Sequence, residues 1–341
     1  MRRATLARIL VCTAVISLVM GGTQAAVAGP SSGARKLQRH GLAVYEWHSI
    51  SELASGASRA RLRFLRRHGF TTVYIDLGEY LDVADLPDTP EQQARLGELS
   101  LKIKQFVANA SSFGLAVHAV GASPTWTEPE RRYLGPKLVR LVGQYNATAT
   151  ASERLQGVQV DIEPYLDPSF FDDEQSALVA YLETLQGIVQ AYQEVHAQPV
   201  NGRLQLGFAI PFWFDGEGES PGPVTFNAAT KPAAFHLIDM LKDLPDAYVL
   251  VMAYRNFTSG RDGSIRHLRS EFRYASSVGA KSGIVVGQEF AEAEPAKITF
   301  HGLDRSAFEK AAKKITKTYG HLPQFRGLSV DDVDAYMAAD D

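Results

Sequence analysis

Residues 157–163 read Gly-Val-Gln-Val-Asp-Ile-Glu, and the alternation of side chains in this segment decides the fold. Val158, Val160 and Ile162 are apolar and β-branched, and a polar side chain follows each of them. A period of two residues predicts a β-strand with one apolar face and one polar face. Other short apolar runs recur along the chain and give eight predicted strands in all, over residues 42–45, 72–75, 115–120, 158–162, 204–210, 248–253, 284–286 and 328–330.

The segments between the predicted strands carry helical periodicity. The clearest helix is Glu174–His196, in which apolar side chains recur every three or four residues. Strands that alternate with helices predict a parallel sheet, and eight such units predict closure into an α/β (β/α)8 barrel, the TIM barrel. Few residues follow the last predicted strand, so we expect the eighth helix to be short or missing. A doubly wound open sheet is the alternative fold, although no glycine-rich phosphate loop follows the first strand.

The first residues have the order of features that is typical of a secretory signal peptide. Arginines precede an apolar run over residues 9–20, and Ala28 ends a group of small residues that suits a cleavage site. We therefore predict a secreted protein with a signal peptide over residues 1–28, a polar leader over 29–40 and one barrel domain over 41–341. The apolar run is short for a bilayer, so no membrane span is expected after cleavage.

Composition excludes several classes of protein. The chain has 341 residues, of which 45% are hydrophobic and 21% charged, and this is typical of a globular protein rather than a disordered one. Its formal net charge of −3 gives no indication of a nucleic-acid partner. Cys12 is the single cysteine, which excludes a disulfide framework and a cysteine-based metal cluster. Heptads and repeats are absent from the sequence, so it indicates neither a structural protein nor a particular oligomeric state.

The carboxyl ends of barrel strands are where reactive groups project, at an opening called the mouth below. In the fourth predicted strand the apolar residues face the helices, so Gln159, Asp161 and Glu163 point into the barrel. The same alternation places inward Tyr74, Asp76, His118, Met252, Tyr254, Glu289, Ser329 and Asp331. Close carboxylates move each other's pKa apart, which leaves one protonated and another ionised near neutral pH. Cleavage of a glycosidic bond needs such a pair, so we interpret Glu163 and Glu289 as catalytic.

Aromatic side chains also follow the predicted strands. Trp47, Trp126 and Trp213 come just after the first, third and fifth strands. Flat aromatic faces at the rim of a barrel suit stacking on sugar rings, although a buried core position is the more usual place for tryptophan. The sequence therefore favours an oligo- or polysaccharide substrate. Asp331 is the acid of the last strand that we expect to line the cleft, and Arg255 is a cation that could pair with a buried acid.

Two motifs resemble the chitinase-like family of glycoside hydrolases. Residues 157–163 resemble that family's DGxDxDxE signature, in which Asp161 and Glu163 match while Gln156 and Gln159 stand where the family has aspartates. Residues 252–255, Met-Ala-Tyr-Arg, are similar to its MxYD, with arginine in place of the aspartate. The resemblance implies that Glu163 is the proton donor, that Asp161 is its partner, and that Tyr254 contacts the reacting sugar.

A second resemblance is to the retaining barrel glycosidases. Glu163-Pro164 after the fourth strand and Glu289 after the seventh look like their acid/base and nucleophile, whereas Ile162 stands where those enzymes usually have asparagine. Both resemblances identify the chain as a divergent member of the TIM-barrel glycoside hydrolases. They imply that it cleaves glycosidic bonds without a metal or other cofactor, by a retaining mechanism in the second case and by attack of the substrate's own acetamido group in the first.

Two further interpretations stay open. The departures at Gln156, Gln159, Ile162 and Arg255 are compatible with a barrel that binds carbohydrate without cleaving it. A metal-dependent hydrolase would draw its ligands from His118 and the inward acids, which are Asp76, Asp161, Glu163 and Asp331. However, the sequence contains neither an HxH nor an HExxH spacing.

Overall fold

The computed structural model describes residues 40–218 and 221–340, and a closed barrel of eight parallel strands forms its centre. This confirms the predicted α/β TIM barrel, and each predicted strand corresponds to one barrel strand. The barrel strands are β1 (Leu42–Glu46), β2 (Thr72–Asp76), β3 (Ala116–Ala122), β4 (Gly157–Asp161), β5 (Gln205–Pro211), β8 (Ala247–Met252), β9 (Gly283–Glu289) and β10 (Phe325–Asp331). β6 (Val224–Phe226) and β7 (Ala229–Lys231) form a separate antiparallel pair. The predicted signal peptide lies outside the described residues, as does the predicted leader except for its last residue.

The helices of the described residues follow the strands along the chain. They are α1 (Ile50–Leu53), α2 (Ala57–Arg67), α3 (Gly78–Asp85), α4 (Pro90–Ser112), α5 (Leu134–Thr148), α6 (Glu174–His196), α7 (Ala233–Leu241), α8 (Ser264–His267), α9 (Arg269–Ser277), α10 (Arg305–Tyr319) and α11 (Val333–Ala338). The last of them has six residues, which confirms the short eighth helix, and the Asp332 side chain caps it by accepting a hydrogen bond from the Ala335 amide at 2.9 Å. No helix in the described ranges is long and apolar enough to cross a membrane.

The order of strands around the ring determines which side chains meet at the mouth. It runs β1-β10-β9-β8-β5-β4-β3-β2, and β1 pairs with both β10 and β2. All of these pairs are parallel, so every carboxyl end opens on the same side. In this ring β4 and β10 are four strands apart in either direction. Residues at their ends therefore lie opposite each other.

Alternation along the strands separates two apolar layers. Val158 and Val160 of β4 are buried between the sheet and the helices, whereas Tyr74 and Tyr248 belong to a second cluster inside the barrel. The Tyr248 hydroxyl donates a hydrogen bond to the Tyr74 hydroxyl at 3.2 Å and lies 3.2 Å from Nδ1 of His118. Aromatic and polar rings thus fill the barrel below the mouth, as expected for a packed interior rather than a pore.

A buried acid outside the barrel is Glu271 on α9. Its side chain is fully buried, and neither carboxyl oxygen has a hydrogen-bond partner on another of the described residues. Asp215 and Glu217 face it with like charges, and Tyr319 of α10 also lies near it. Burial, reinforced by the charges of Asp215 and Glu217, holds the pKa of Glu271 well above its usual range. The folded protein therefore holds a proton on Glu271 to a higher pH than the unfolded chain does.

We expect Glu271→Gln to stabilise the protein more at about pH 8 than at about pH 5. In the unfolded chain Glu271 loses its proton above the ordinary glutamate pKa, whereas in the folded protein it keeps the proton up to its raised pKa. Between these two pKa values the free energy of unfolding falls by about 1.4 kcal/mol per pH unit. Glutamine carries no charge at either pH and removes that loss. Urea unfolding at the two pH values measures the difference. An equal effect of the substitution at both would contradict a protonated Glu271.

Candidate active site

The end of β4 brings two carboxyl groups to the mouth. Asp161 is the last residue of the strand, and Glu163 follows two residues later on the same inward side. Ile162 between them is buried in the outer apolar layer, which fixes the direction of its two neighbours. Gln159, one step below Asp161, is fully buried, and its amide donates a hydrogen bond to the Tyr45 hydroxyl at 3.1 Å. The alternation predicted for this segment is confirmed.

A third carboxyl group faces this pair from the opposite side of the barrel. Asp331 is the last residue of β10, and its Oδ1 accepts a hydrogen bond from the indole Nε1 of Trp47 at 2.7 Å. The Trp47 ring stacks on Tyr45 with ring centroids 5.1 Å apart, and 38% of the residue is exposed. Glu46, which precedes Trp47, is buried and pairs with Arg61 of α2 at 3.1 Å. This ion pair holds the end of β1 and thereby the position of Trp47.

The three acids interact electrostatically, and all three are largely buried. Burial, followed by the charges of Glu163 and Asp331, holds the pKa of Asp161 well above its usual range. Burial also raises the pKa of Glu163. A hydrogen bond from the Tyr165 hydroxyl favours the carboxylate and offsets part of this rise. Burial raises the pKa of Asp331 to about 7, against the opposing effect of the Trp47 hydrogen bond. Near neutral pH the three carboxyl groups together therefore hold some of their protons, as general acid catalysis requires.

Glu289 approaches the same mouth from the end of β9, but it is held by the backbone. Its Oε1 accepts hydrogen bonds from the amides of Phe290 at 2.8 Å and Ala291 at 2.7 Å. Burial, with the charge of Asp331 as the second cause, raises its pKa to about 9. Glu289 is consequently a neutral carboxylic acid at pH 7, with one oxygen already occupied.

Aromatic side chains surround the acids. Tyr254 follows β8, packs against the barrel interior, and lies within electrostatic range of Asp331 and Glu289. Burial, then the charge of Asp331, keeps the pKa of Tyr254 well above its usual value, so its hydroxyl stays neutral. Trp213 after β5 is half-buried and packs edge-on against Tyr165, with ring centroids 4.8 Å apart. Two of the three predicted tryptophans, Trp47 and Trp213, therefore lie among the residues of the mouth.

Two predicted binding residues lie away from the mouth, which corrects the sequence analysis. Trp126 is 5% exposed and packs in the main hydrophobic core, so no face of its ring is free for a sugar. His118 is buried in the lower half of the barrel beside Tyr248, in register with the first residue of β4. Burial lowers the pKa of His118 to about 3, which makes it a neutral packing group.

Two other predicted residues are occupied by structural contacts. Asp76 at the end of β2 accepts a hydrogen bond from the Gly78 amide at 2.8 Å and so holds the start of α3. Arg255 donates to Oδ1 of Asp262 from Nε at 2.8 Å and from Nη2 at 2.6 Å, and its guanidinium lies over the Phe212 ring. Arg255 is therefore paired outside the group of mouth acids.

Tyr45 and Tyr165 are the mouth residues that the sequence analysis missed. Tyr45 connects Gln159 of β4 with the ring of Trp47 after β1. Tyr165 lies two residues after Glu163 and reaches back to it, in a short helical turn that the strand pattern does not predict. The inward alternation of β1 could have indicated Tyr45. In the described part of the chain, no group of three or more histidine, cysteine, aspartate and glutamate side chains is arranged to hold a metal ion.

Comparison with known proteins places this barrel among solved structures. No protein-family model and no curated protein matches the sequence. Virulence factor SghA, in complex with its substrate analogue salicin, is 9% identical with a TM-score of 0.53, over 89% of this chain and 90% of that chain. An endo-beta-mannanase/endo-beta-glucanase from Prevotella bryantii is 12% identical with a TM-score of 0.50, over 89% and 47%. A GH18 chitinase from Cycas revoluta, in complex with (GlcNAc)3, is 13% identical with a TM-score of 0.47, over 86% and 95%.

At these identities the likeness establishes the fold. The chain is a TIM barrel, and the fold is one that it shares with glycoside hydrolases. Function has to be argued from the mouth itself, because barrels of this fold carry many unrelated activities.

Proposed function

We propose that this protein hydrolyses glycosidic bonds and that Glu163 is its general acid. The observation that carries the proposal is the position of Glu163 beside Asp161 and opposite Asp331, in a mouth where burial raises the pKa of all three carboxyl groups. A glycosidase needs one carboxylic acid for the departing oxygen and one carboxylate for the oxocarbenium-like centre. Exposed Trp47 and half-buried Trp213 supply aromatic faces for sugar rings.

The contacts of the acids support a division of roles. Glu163 donates its proton to the departing oxygen, and the Tyr165 hydroxyl stabilises the carboxylate that forms. Asp331 lies across the barrel from Glu163, has one oxygen fixed by Trp47, and ionises near pH 7. We assign to Asp331 the carboxylate that faces the anomeric carbon, and we expect retention of configuration. Glu289, the nucleophile expected from the resemblance to retaining glycosidases, is better suited to donate a hydrogen bond as a neutral acid.

A screen of the purified protein against diverse glycans tests this function. We expect new reducing ends from at least one oligo- or polysaccharide, and NMR of the first product formed should show the anomeric configuration of the substrate. Secretion, which we propose from residues 1–28, is tested by sequencing the amino terminus of the exported protein. Glycan binding without product over days would instead favour a carbohydrate-binding barrel without catalytic activity.

Tyr165→Phe is expected to move the alkaline limb of the pH–activity profile to higher pH. The hydrogen bond from Tyr165 favours the ionised form of Glu163 and lowers its pKa, so removing the hydroxyl raises that pKa. A general acid must be protonated to act, and the protonated form would then persist to higher pH. The measurement is kcat/KM against pH. Tyr133→Phe, which removes an exposed tyrosine hydroxyl bonded to Asp85, is the matched control. A limb that moves to lower pH would contradict the assignment of Glu163 as acid.

A further inference from the structure

The mouth contains a surplus of acidic groups without a cation to balance them. Asp161, Glu163, Glu289 and Asp331 gather there, and none of the four forms an ion pair within the described ranges. Arg255, the basic residue that follows β8, is held by Asp262 and by the carbonyl oxygen of Tyr254. A ligand that enters this mouth therefore meets carboxyl groups that are not paired with any cation of residues 40–218 or 221–340.

One of the four acids lacks a hydrogen-bond donor. Glu163 accepts from Tyr165, Asp331 accepts from Trp47, and Glu289 accepts from two backbone amides. Oδ1 of Asp161 is inaccessible to solvent and accepts no hydrogen bond from the described residues. Buried acceptors are nearly always paired, so Asp161 retains unused acceptor capacity at the mouth.

The layer directly below the aspartates also contains polar atoms without a hydrogen-bond partner among the described residues. Gln159 lies one inward step below Asp161, and Ser329 lies one inward step below Asp331. Both side chains are at least nine-tenths buried, and Oε1 of Gln159 and Oγ of Ser329 have no hydrogen-bond partner in the part of the chain that the structure describes. Fully buried polar atoms thus lie beneath the acids of β4 and β10 with hydrogen-bonding capacity unused.

We propose that the substrate is a cationic glycan whose sugar carries a free, unacetylated amino group, and that Asp161 binds the ammonium. An ammonium brings a positive charge and three donors with no acceptor, which matches unpaired acceptors beside several acids. A sugar hydroxyl brings one donor and no charge, and a uronic acid or sulfated sugar brings further acceptors to a mouth whose own acceptors are unpaired. The Trp47 ring, held beside Asp331 by its own N–H group, offers a face to the same charged sugar. This inference rests on the proposed function and specifies its substrate class.

The test compares binding of oligosaccharides that differ only in their amino groups. Glu163→Gln stops turnover, and the quenching of tryptophan fluorescence by glucosamine and galactosamine tetramers is then compared with that by their N-acetylated counterparts. At pH 7 and low salt we expect at least one free amino form to bind at least about tenfold more tightly than its acetylated form. Raising the salt from about 0.05 to about 0.5 M should reduce that preference, because screening weakens charge pairing.

A second substitution assigns the preference to Asp161. Adding Asp161→Asn to Glu163→Gln should abolish the preference for free amino groups, while affinity for the acetylated forms changes less than about threefold. Asp243→Asn removes an exposed carboxylate at the opposite end of the barrel and should leave the preference unchanged. Near-ultraviolet circular dichroism establishes that each variant is folded before binding is compared.

The outcomes separate this inference from the function on which it rests. Equal or tighter binding of the acetylated forms, or a preference that survives Asp161→Asn, overturns the cationic substrate. If the wild-type protein cleaves only neutral glycans in the screen, the inference falls while the glycosidase assignment stands. If it neither binds nor cleaves any glycan, both are overturned.

Discussion

Replacing Glu163 by glutamine is expected to lower kcat by roughly 10³-fold and to leave the protein folded. Glutamine has nearly the shape of the glutamic acid but no proton to give to the departing oxygen. Its side-chain carbonyl can still accept the Tyr165 hydrogen bond, so the local contacts persist. Burial raises the pKa of Glu163, and a group that favours its neutral form loses little stability when an amide replaces it. Initial rates on the glycan found in the screen, with a thermal melt, measure both effects.

The leaving group supplies a sharper test of the same substitution. The nitrophenolate of a nitrophenyl glycoside can leave with little need of a proton. Glu163→Gln should therefore slow the hydrolysis of this substrate far less than that of the natural linkage. Glu194→Gln is the matched control, because it removes an exposed carboxylate paired with Arg140 on the helical surface. Equal losses on both substrates would show that Glu163 acts by positioning rather than by proton transfer. Wild-type rates on both would remove it from the chemistry.

The fold could be predicted because each barrel strand carries its own signal. In β4 the apolar residues pack against the surrounding helices. The polar residues Gln159 and Asp161 lie on the opposite face, inside the barrel, where Gln159 bonds to Tyr45. The other strands are marked instead by short apolar runs, because several of their inward residues are apolar too, as Leu250 and Met252 of β8 are. The β6–β7 pair was missed because three-residue strands are too short for a period to be read.

The site was predictable only where the backbone dictates direction. Asp161, Glu163 and Asp331 were correctly placed at the mouth because alternation fixes the side on which they emerge. Contacts between strands do not follow from alternation, so the hydrogen bond from Trp47 to Asp331 could not be predicted from the sequence. The roles of Asp76 and Arg255 depend on partners such as the Gly78 amide and Asp262, whose positions are set by loop geometry. The direction of a side chain on a strand follows from the local sequence, whereas its hydrogen-bond partner depends on the tertiary structure.

Trp126→Ala is expected to lower the free energy of unfolding by about 3–5 kcal/mol. The Trp126 side chain is buried behind the barrel, where removing so large a group leaves a cavity that its neighbours only partly fill. Gly121 makes room for the ring, because a Cβ atom at Gly121 would lie 2.5 Å from Cη2 of Trp126. Urea unfolding of wild type and variant measures the loss.

Trp47→Ala is the control that distinguishes a core tryptophan from a mouth tryptophan. It removes a partly exposed ring and one hydrogen bond to Asp331, so we expect a loss of only about 1 kcal/mol in stability. Its main effect should fall on glycan binding, which Trp126→Ala should change only through unfolding. If the two substitutions cost the same stability, the packing of Trp126 described here is wrong. The contrast has a simple origin in the sequence. Gly121 leaves room for an indole ring behind β3, whereas after β1 the buried Glu46–Arg61 ion pair directs the next side chain towards the mouth.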